Sequence, residues 1–542
     1  MAPRWRKLVT VLLAFSALCI VCVGAFYFWA KYQFATVVIS EADVATYVER
    51  AAARPDFAAD GREPCSDQHP QRNAYFGALH VHTALSGDAA GWGVTTTPED
   101  AYRFARGEDL EVRFRDDDPD QAVPVVRLDR PLDFAAVTDH ANQMAEARIC
   151  LTPALDGYDS ILCRVFRGDI EPPFDDPVLR SIFRMLPMTL LHIRPQRLCG
   201  EDGVACLQET EPVWDEVQRA AEAAYDRSAN CGFTSFVGYE YTLQQQGSNL
   251  HRNVIFANAA VPPSPLSARE AGRPELLWSW LQRQCQDAGV GCDAISIPHN
   301  SNWSSGRMFF PYTLSDYSEE EQRRLAVLRN EMEPLAEILQ VKGDSECRNG
   351  LRRVFGQPDE YCDFEKVRLP EQPIEDCLDS VGSRGMSQQG CMSRWSFVRY
   401  GLMEGLREER QLGTNSLKMG IVATTDNHNG APGAVSESEW IGSIGVDLDP
   451  RQRLRDAIDI PNLAKADGTR FNPGGIAGVW AEENTRESLF AAMRRRETFG
   501  TSGPRIVPRF FAGWNFDPSI CSSPDLLTEA YADGVPMGGD LP

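Results

Sequence analysis

Eight histidines serve the whole 542-residue chain, and six of them lie beside the ends of apolar, β-prone runs in the company of carboxylates. His80-Val81-His82 closes the first such run, and its period-two spacing turns both imidazoles to one side, as two ligands of one ion require. Asp88 follows in Ser86-Gly87-Asp88. Thr138-Asp139-His140 ends a second run and Gly238-Tyr239-Glu240 a third. His251 precedes a fourth, Pro298-His299-Asn300 ends a fifth, and Thr425-Asp426-Asn427-His428 ends a sixth. Imidazole with carboxylate is the donor set of Zn²⁺, Mn²⁺ or Fe²⁺, and the donors alone do not choose among them. One H-x-H or D-x-H is weak evidence, with paired surface or core histidines as the ordinary explanation. The full set, in a chain otherwise poor in histidine, is specific. His69 and His192 fall outside every motif and read as surface or structural residues.

Three arginines lie close to these motifs: Arg252, Arg307 in Gly306-Arg307-Met308, and Arg505 in Gly503-Pro504-Arg505. Each could grip a phosphoryl oxygen pair bidentately, or simply pair with one of the 77 acidic residues. Asn300, Asn302 and Trp303, just past His299, belong to a loop that would overlook the site, although a packing role suits Trp303 equally.

The runs that must position these groups span 75–81, 132–138, 234–241, 253–257, 294–298, 336–341, 420–425 and 476–481, all rich in β-branched and aromatic residues. Helical patterns punctuate them. Thr97 can cap a helix with Pro98 in its first turn and Gly107 at its close, and Asn484-Thr485-Arg486-Glu487 can cap another over 488–499. Strands alternating with helices predict an α/β fold with a largely parallel sheet, in which groups at the C-terminal strand ends converge. Two stretches, 150–230 and 310–412, interrupt the alternation as insertions. The second carries cysteines 347, 362, 377 and 391. Asp116-Asp117-Asp118-Pro119-Asp120 reads as a solvated loop. No internal repeat is present.

Composition narrows the possibilities further. With 54 basic and 77 acidic residues the net charge is −23, which argues against nucleic-acid partners. The segment 8–30 is uncharged, roughly 34 Å long as a helix at ~1.5 Å per residue, enough to span a bilayer. Arg4, Arg6 and Lys7 precede it, so residues 1–7 are expected in the cytoplasm, 31–72 as an external linker, and the rest outside, in the periplasm of a two-membrane cell. A cleaved signal peptide is the rival, with a shorter apolar core and a cleavage site not evident here. Of 15 cysteines, Cys19 and Cys22 lie in the apolar run and read as membrane filler, leaving 13. Export permits disulfides, close pairs such as Cys199/Cys206 and Cys285/Cys292 could be bridged, and the odd count leaves one thiol over. The tail 513–542 closes on no regular element, so the chain is expected to continue beyond it.

Taken together the motifs resemble the PHP superfamily of polymerase and histidinol phosphatase domains, and within it the exported branch called domain of unknown function 3604. The resemblance rests on Tyr75-Phe76-Gly77-Ala78-Leu79-His80-Val81-His82-Thr83, Pro131-Leu132-Asp133-Phe134, Val137-Thr138-Asp139-His140, His299-Asn300 and Thr498-Phe499-Gly500-Thr501-Ser502-Gly503-Pro504-Arg505. It implies a distorted seven-stranded parallel α/β barrel over about 73–512, holding up to three divalent metal ions at the C-terminal strand ends. By position, His80, His82, Glu240 and Asp426 would hold the first, Glu240 would bridge to a second held by His251 and His299, and Asp88, His140 and His428 would hold the third. Asn142 stands where the resemblance implies Glu, which leaves the role of that position open.

Metals so held can share a bridging hydroxide with its pKa lowered to about 7 and can clamp two phosphoryl oxygens. A membrane-anchored, extracytoplasmic phosphoesterase of a small substrate is therefore the leading expectation, with Asp88 or His428 assisting the leaving oxygen. The alternatives are amide or carboxylic-ester hydrolysis by the same machinery, and a non-catalytic, metal-stabilised binding protein.

Overall fold

The computed structural model describes residues 35–37, 61–115, 122–173, 176–189, 194–351, 358–368, 372–436, 438–444 and 471–541. The expected membrane segment 8–30, with Cys19 and Cys22, and the acidic loop at 116–120 lie outside them. Among the described residues no helix is long and apolar enough to cross a membrane.

Ten strands and six helices frame the site. In chain order they are β1 (Asn73–Ala78), α1 (Pro98–Ala105), β2 (Phe134–Ala136), α2 (Val204–Ala224), β3 (Thr234–Phe236), β4 (Gly238–Tyr241), β5 (Arg252–Phe256), α3 (Pro274–Gln284), β6 (Ala294–Pro298), α4 (Glu319–Met332), β7 (Leu335–Gln340), α5 (Val398–Leu412), β8 (Gly420–Ala423), β9 (Ile476–Ala481), α6 (Arg486–Arg494) and β10 (Thr498–Thr501). Each apolar run expected to be a strand contributes one. Val237 divides the 234–241 run into β3 and β4.

The strands form three sheets, ordered β10-β9-β1-β2-β3, β6-β5-β4, and Gly343–Asp344 beside β7 and β8. β1 with β2, β2 with β3, and β7 with β8 pair in parallel. Gly77 lets β1 and β2 approach closely, since a Cβ there would meet the Phe134 carbonyl oxygen at 2.3 Å. The chain runs straight from β3 into β4, linking the first sheet to the second. One apolar cluster, including Leu79, Phe134, Phe236, Ile255, Ile297, Val422 and Val479, draws on all three sheets, which therefore enclose a shared core.

The pairing departs from the all-parallel expectation. β5 is antiparallel to both β4 and β6, and β9 is antiparallel to both β1 and β10. The link from β4 to β5 is a short excursion through the hairpin Gln244–Gln245 and Ser248–Asn249, too brief for a parallel crossover. Among the described residues the ladders do not join into a closed barrel.

The helix signals act as their chemistry suggests, with two adjustments. Thr97 accepts from the Asp100 amide and Asp100 answers the Thr97 amide, so α1 opens on a capping box. α6 is capped by Thr485 rather than Asn484, and it ends at Arg494 because Thr498 and Phe499 pair into β10. The stretch 150–230 is only partly an insertion: α2 leads directly into β3 and packs on it and on α1. Likewise 310–412 contains α4, β7 and α5.

Six disulfides staple the described chain: Cys65–Cys231, Cys150–Cys163, Cys199–Cys206, Cys285–Cys292, Cys347–Cys362 and Cys377–Cys391. Both close pairs anticipated from spacing are bridged, and the thiol left over is the exposed Cys521. Six bridges mark a domain that folds in an oxidising compartment outside the cytoplasm.

Candidate metal centre

Past a bend at Leu79, the fully buried His80 and His82 come together with their Nε2 atoms 3.2 Å apart. Val81 between them faces the core and bridges to Asn427 in parallel, bringing the segment after β8 alongside. There Asp426 takes φ = 51°, a left-handed conformation that Asp tolerates better than most residues and that clusters at functional sites. Its Oδ1 lies 3.1 Å from His82 Nε2 and 3.3 Å from His80 Nε2. Glu240, at the end of β4, places Oε1 3.2 Å from His80 Nε2. Donors around a tetrahedral cation with bonds of roughly 2.0–2.2 Å stand about 3.3–3.6 Å apart, so these four groups are near the spacing of a coordination shell.

The carboxylates carry the cluster onward. Glu240 Oε1 is also 3.1 Å from His251 Nδ1, while its other oxygen contacts His140 Nδ1. Asp88 Oδ2 sits 3.2 Å from His140 Nε2 and 3.1 Å from His428 Nε2. Asp426 Oδ2 lies 3.2 Å from His299 Nε2. All nine expected ligands thus join one contiguous cluster, and each carboxylate serves at least two imidazoles. His299 meets Asp426 rather than Glu240, so in this geometry it belongs with the His80 group more than the expected grouping with His251 and Glu240 implies. The antiparallel run of β5 explains why His251 precedes its strand: the start of β5 lies at the same end as the finish of β4 and β6, with Arg252 opposite Tyr241 and Pro298.

Two observations suit a metal. His251 Nε2 is buried without a hydrogen-bond partner among the described residues, a cost that coordination would relieve. The donor set of imidazole and carboxylate is the one that borderline divalent cations prefer.

Charge balance inside the cluster follows from burial and proximity. Burial drives the His80 imidazolium down, but the carboxylates of Asp426 and Glu337 overcome it and raise it to about 10. His140 is likewise raised, against burial, by Asp88 and Glu240. His82 is held well below its ordinary value by burial and by the neighbouring His428 and His140, and burial lowers His251 to about 4 despite Glu240. Burial opposes ionisation of Asp88, Glu240 and Asp426, yet the surrounding imidazoles hold all three well below the usual carboxylate range. Protons therefore stand where cations would.

Sequence reasoning missed the groups that orient the ligands. Glu337 on β7 places Oε1 3.0 Å from His80 Nδ1 and accepts the Asn300 amide at 2.7 Å, with Thr424 Oγ1 beside it. It fixes the His80 ring as outer carboxylates do for metal-bound imidazoles. Asp139 accepts from the Thr83 amide and Ser86 Oγ, both at 2.7 Å, and Ser86 Oγ lies 2.9 Å from His82 Nδ1. Asn249 Oδ1 accepts the His251 amide at 3.0 Å. Gln340 Nε2 is 2.9 Å from His299 Nε2, and Lys342 Nζ contacts Asp426. A carboxylate inside the apolar 336–341 run was the available signal for Glu337, because burying a charge in a strand is costly without a partner.

Of the arginines expected to bind substrate, two are placed elsewhere. Arg252 points away from His251, its neighbour on an alternating strand, and is buried with Nε donating to Glu333 at 2.7 Å. Arg505 donates to the carbonyls of Arg130 and Pro131, near where β2 begins, the end opposite His140. Arg307 donates from Nη2 to Gln246 Oε1 at 2.6 Å and Gly382 O at 3.1 Å, with no carboxylate paired to it among the described residues. Asn302 Nδ2 donates to the Lys342 carbonyl at 2.8 Å, and the Trp303 ring lies 6.0 Å from Lys342 Nζ, so the loop past His299 supports the turn that carries Lys342.

No curated protein and no solved structure matches the chain. Residues 69–542 match the model of a family described as a protein of unknown function, DUF3604, and that stretch contains all nine residues of the cluster. The chain belongs to the DUF3604 family.

Proposed function

We propose that the protein is a metal-dependent hydrolase, a phosphoesterase of a small substrate, whose domain lies outside the cytoplasm on a membrane anchor formed by residues 8–30. The observation that carries the reading is the convergence of three carboxylates and six imidazoles from separate chain segments into one buried cluster. Such convergence at strand ends around a shared core also favours a PHP-like barrel, distorted by the reversed β5 and β9.

Bound divalent cations would supply Lewis acidity toward a phosphoryl group and an acidified water. His80, His82, His299, Glu240 and Asp426 would hold one cation, Asp88, His140 and His428 another, and His251 with Glu240 a further one. Glu337, Asp139 and Asn249 fix the ligand rings and the loops bearing them. Asp88 is the most exposed of the nine, with its side chain 19% accessible, so substrate meets the cluster there. Where the Asp88, His140 and His428 position holds no cation, Asp88 and His428, in contact through Oδ2 and Nε2, can instead hold the proton that a leaving oxygen needs. Lys342 and Arg307 bring positive charge for phosphoryl oxygens. The net charge of −23 supports a small substrate over a polynucleotide.

The test is release of phosphate or nitrophenol from a panel of phosphomonoesters and phosphodiesters by the full chain loaded with Mn²⁺ or Zn²⁺. Turnover lost on chelation and in Asp426→Ala is the expected result. A folded, metal-loaded protein that leaves every phosphate ester intact overturns the phosphoesterase reading. Hydrolysis of amides or carboxylic esters instead would transfer the same machinery to carbonyl chemistry.

A further inference from the structure

Asp88 stands on the short helix Gly87–Gly91, and Trp92 follows directly at its C-terminal end. The Trp92 amide donates to the Asp88 carbonyl at 2.9 Å, so the two residues sit one helical turn apart, where side chains rise on the same side. Both meet His428. Its Nε2 is 3.1 Å from Asp88 Oδ2, and its ring centroid lies 5.4 Å from that of Trp92, with the planes inclined at 60°. Carboxylate, imidazole and indole form one triangle at the rim of the metal centre.

The chain around this turn holds the triangle in place. Ala89, Ala90 and Gly91 are buried, and a Cβ on Gly91 would come within 2.8 Å of Met185 Cγ, so that side of the helix is packed closely against its neighbour. Gly93 takes φ = 88°, a left-handed conformation that turns the chain at once toward the bridge between Val94 and Phe114. Trp92, between the two glycines, stays half-buried. Asp88 is 19% accessible, while His140, His251 and His428, the next most open members of the cluster, are 7% accessible. A substrate therefore reaches the centre beside Asp88, within reach of the indole.

We infer that Trp92 is a specificity-determining residue of the phosphoesterase proposed above, its indole receiving the leaving group of the substrate and favouring esters of planar, aromatic alcohols over alkyl ones. The inference rests on that reading, because it takes the phosphoryl group to lie against the cluster. With phosphorus there, the leaving oxygen belongs beside Asp88 and His428, and the group it carries extends over the ring four residues on from Asp88. An indole offers a flat apolar face, on which a planar ring stacks with an offset or meets edge-on. A quaternary ammonium on the leaving group would call for several aromatics walling it in together, which one indole does not supply.

Calorimetric titration of the full chain, loaded with Zn²⁺, with benzylphosphonate and with ethylphosphonate tests the inference. In both probes a methylene replaces the ester oxygen, so binding is read without turnover. Wild type is expected to bind benzylphosphonate about tenfold or more tighter than ethylphosphonate. Trp92→Ala should bind the two within about twofold of each other, with its affinity for ethylphosphonate kept, and Trp92→Phe should recover part of the preference. Far-ultraviolet circular dichroism and chelator competition show whether Trp92→Ala keeps fold and metal. If it does not fold, Trp92→Leu, which keeps apolar bulk without an aromatic face, makes the same comparison. Equal affinities in the wild type, or a preference that survives in the folded variant, overturn the inference and leave the phosphoesterase reading intact. A folded variant that loses metal, or loses both probes equally, also overturns it, since Trp92 would then only hold the His428 ring. If neither probe binds the wild type, the inference falls, and the ester panel decides separately whether the phosphoesterase reading falls with it.

Discussion

His80 Nδ1 and Glu337 Oε1 lie 3.0 Å apart, and through that contact β7 sets the ring of a ligand carried beyond β1. The two residues are 257 positions apart in sequence. Glu337 also takes the Asn300 amide, so one carboxylate aligns the loops bearing His80 and His299.

Glu337→Gln keeps the size of the side chain and removes its charge. The expected effect is a 10- to 100-fold loss of affinity, roughly, for the metal near His80, with the fold retained. Competition titration against a chromogenic chelator measures it. An unchanged affinity would show that the His80 ring is positioned by packing alone.

Metal uptake should release protons. Burial lowers the His80 imidazolium, but Asp426 and Glu337 raise it to about 10, so the metal-free side chain holds its proton at neutral pH. His140 is raised in the same sense. A cation must displace those protons, and affinity should therefore climb as the pH rises from about 6 to about 8. Zn²⁺ titrations in two buffers of different ionisation enthalpy count the protons. A count of zero contradicts the assignment.

Arg252→Met separates architecture from chemistry. Glu333 is fully buried and takes Arg252 Nε on one oxygen and Arg329 Nε on the other, so losing Arg252 strands part of a buried charge. A loss of roughly 3 kcal/mol in stability is expected, with metal affinity unchanged. Urea unfolding reads the first and chelator competition the second. Lost turnover with normal stability would return Arg252 to the site.

The Cys65–Cys231 bridge joins residues 166 positions apart, the longest span of the six. By chain entropy alone such a loop is worth roughly 5 kcal/mol. Replacing both cysteines with serine should lower the unfolding midpoint far more than replacing Cys285 and Cys292, whose span is 7. Thermal scans of the two double variants at equal concentration make the comparison, and equal midpoints would refute it.

Much of the cluster was legible because its imidazoles and carboxylates sit where apolar runs stop. His80 with His82, and Asp426 with His428, announce themselves by local spacing. Strand direction was less accessible: His251 standing before its run hinted at a reversed β5, but direction depends on pairing partners that no local pattern encodes. Arg252 misled for a related reason. Sequence adjacency to His251 suggested a shared task, while alternation along a strand sends the two side chains to opposite faces. Glu337 and Lys342 were hidden by distance along the chain, since their relevance comes from contact with His80 and Asp426 across the core.

The bridge from Cys65 to Cys231 also determines how traction is shared. A pull on the chain upstream of residue 65 passes through sulfur to Cys231, three residues before β3, as well as along the backbone toward β1. The segment leading to His80 and His82 is thereby relieved of part of the strain. A domain tethered by its N-terminal end could be tugged while the imidazoles of its metal centre keep their spacing.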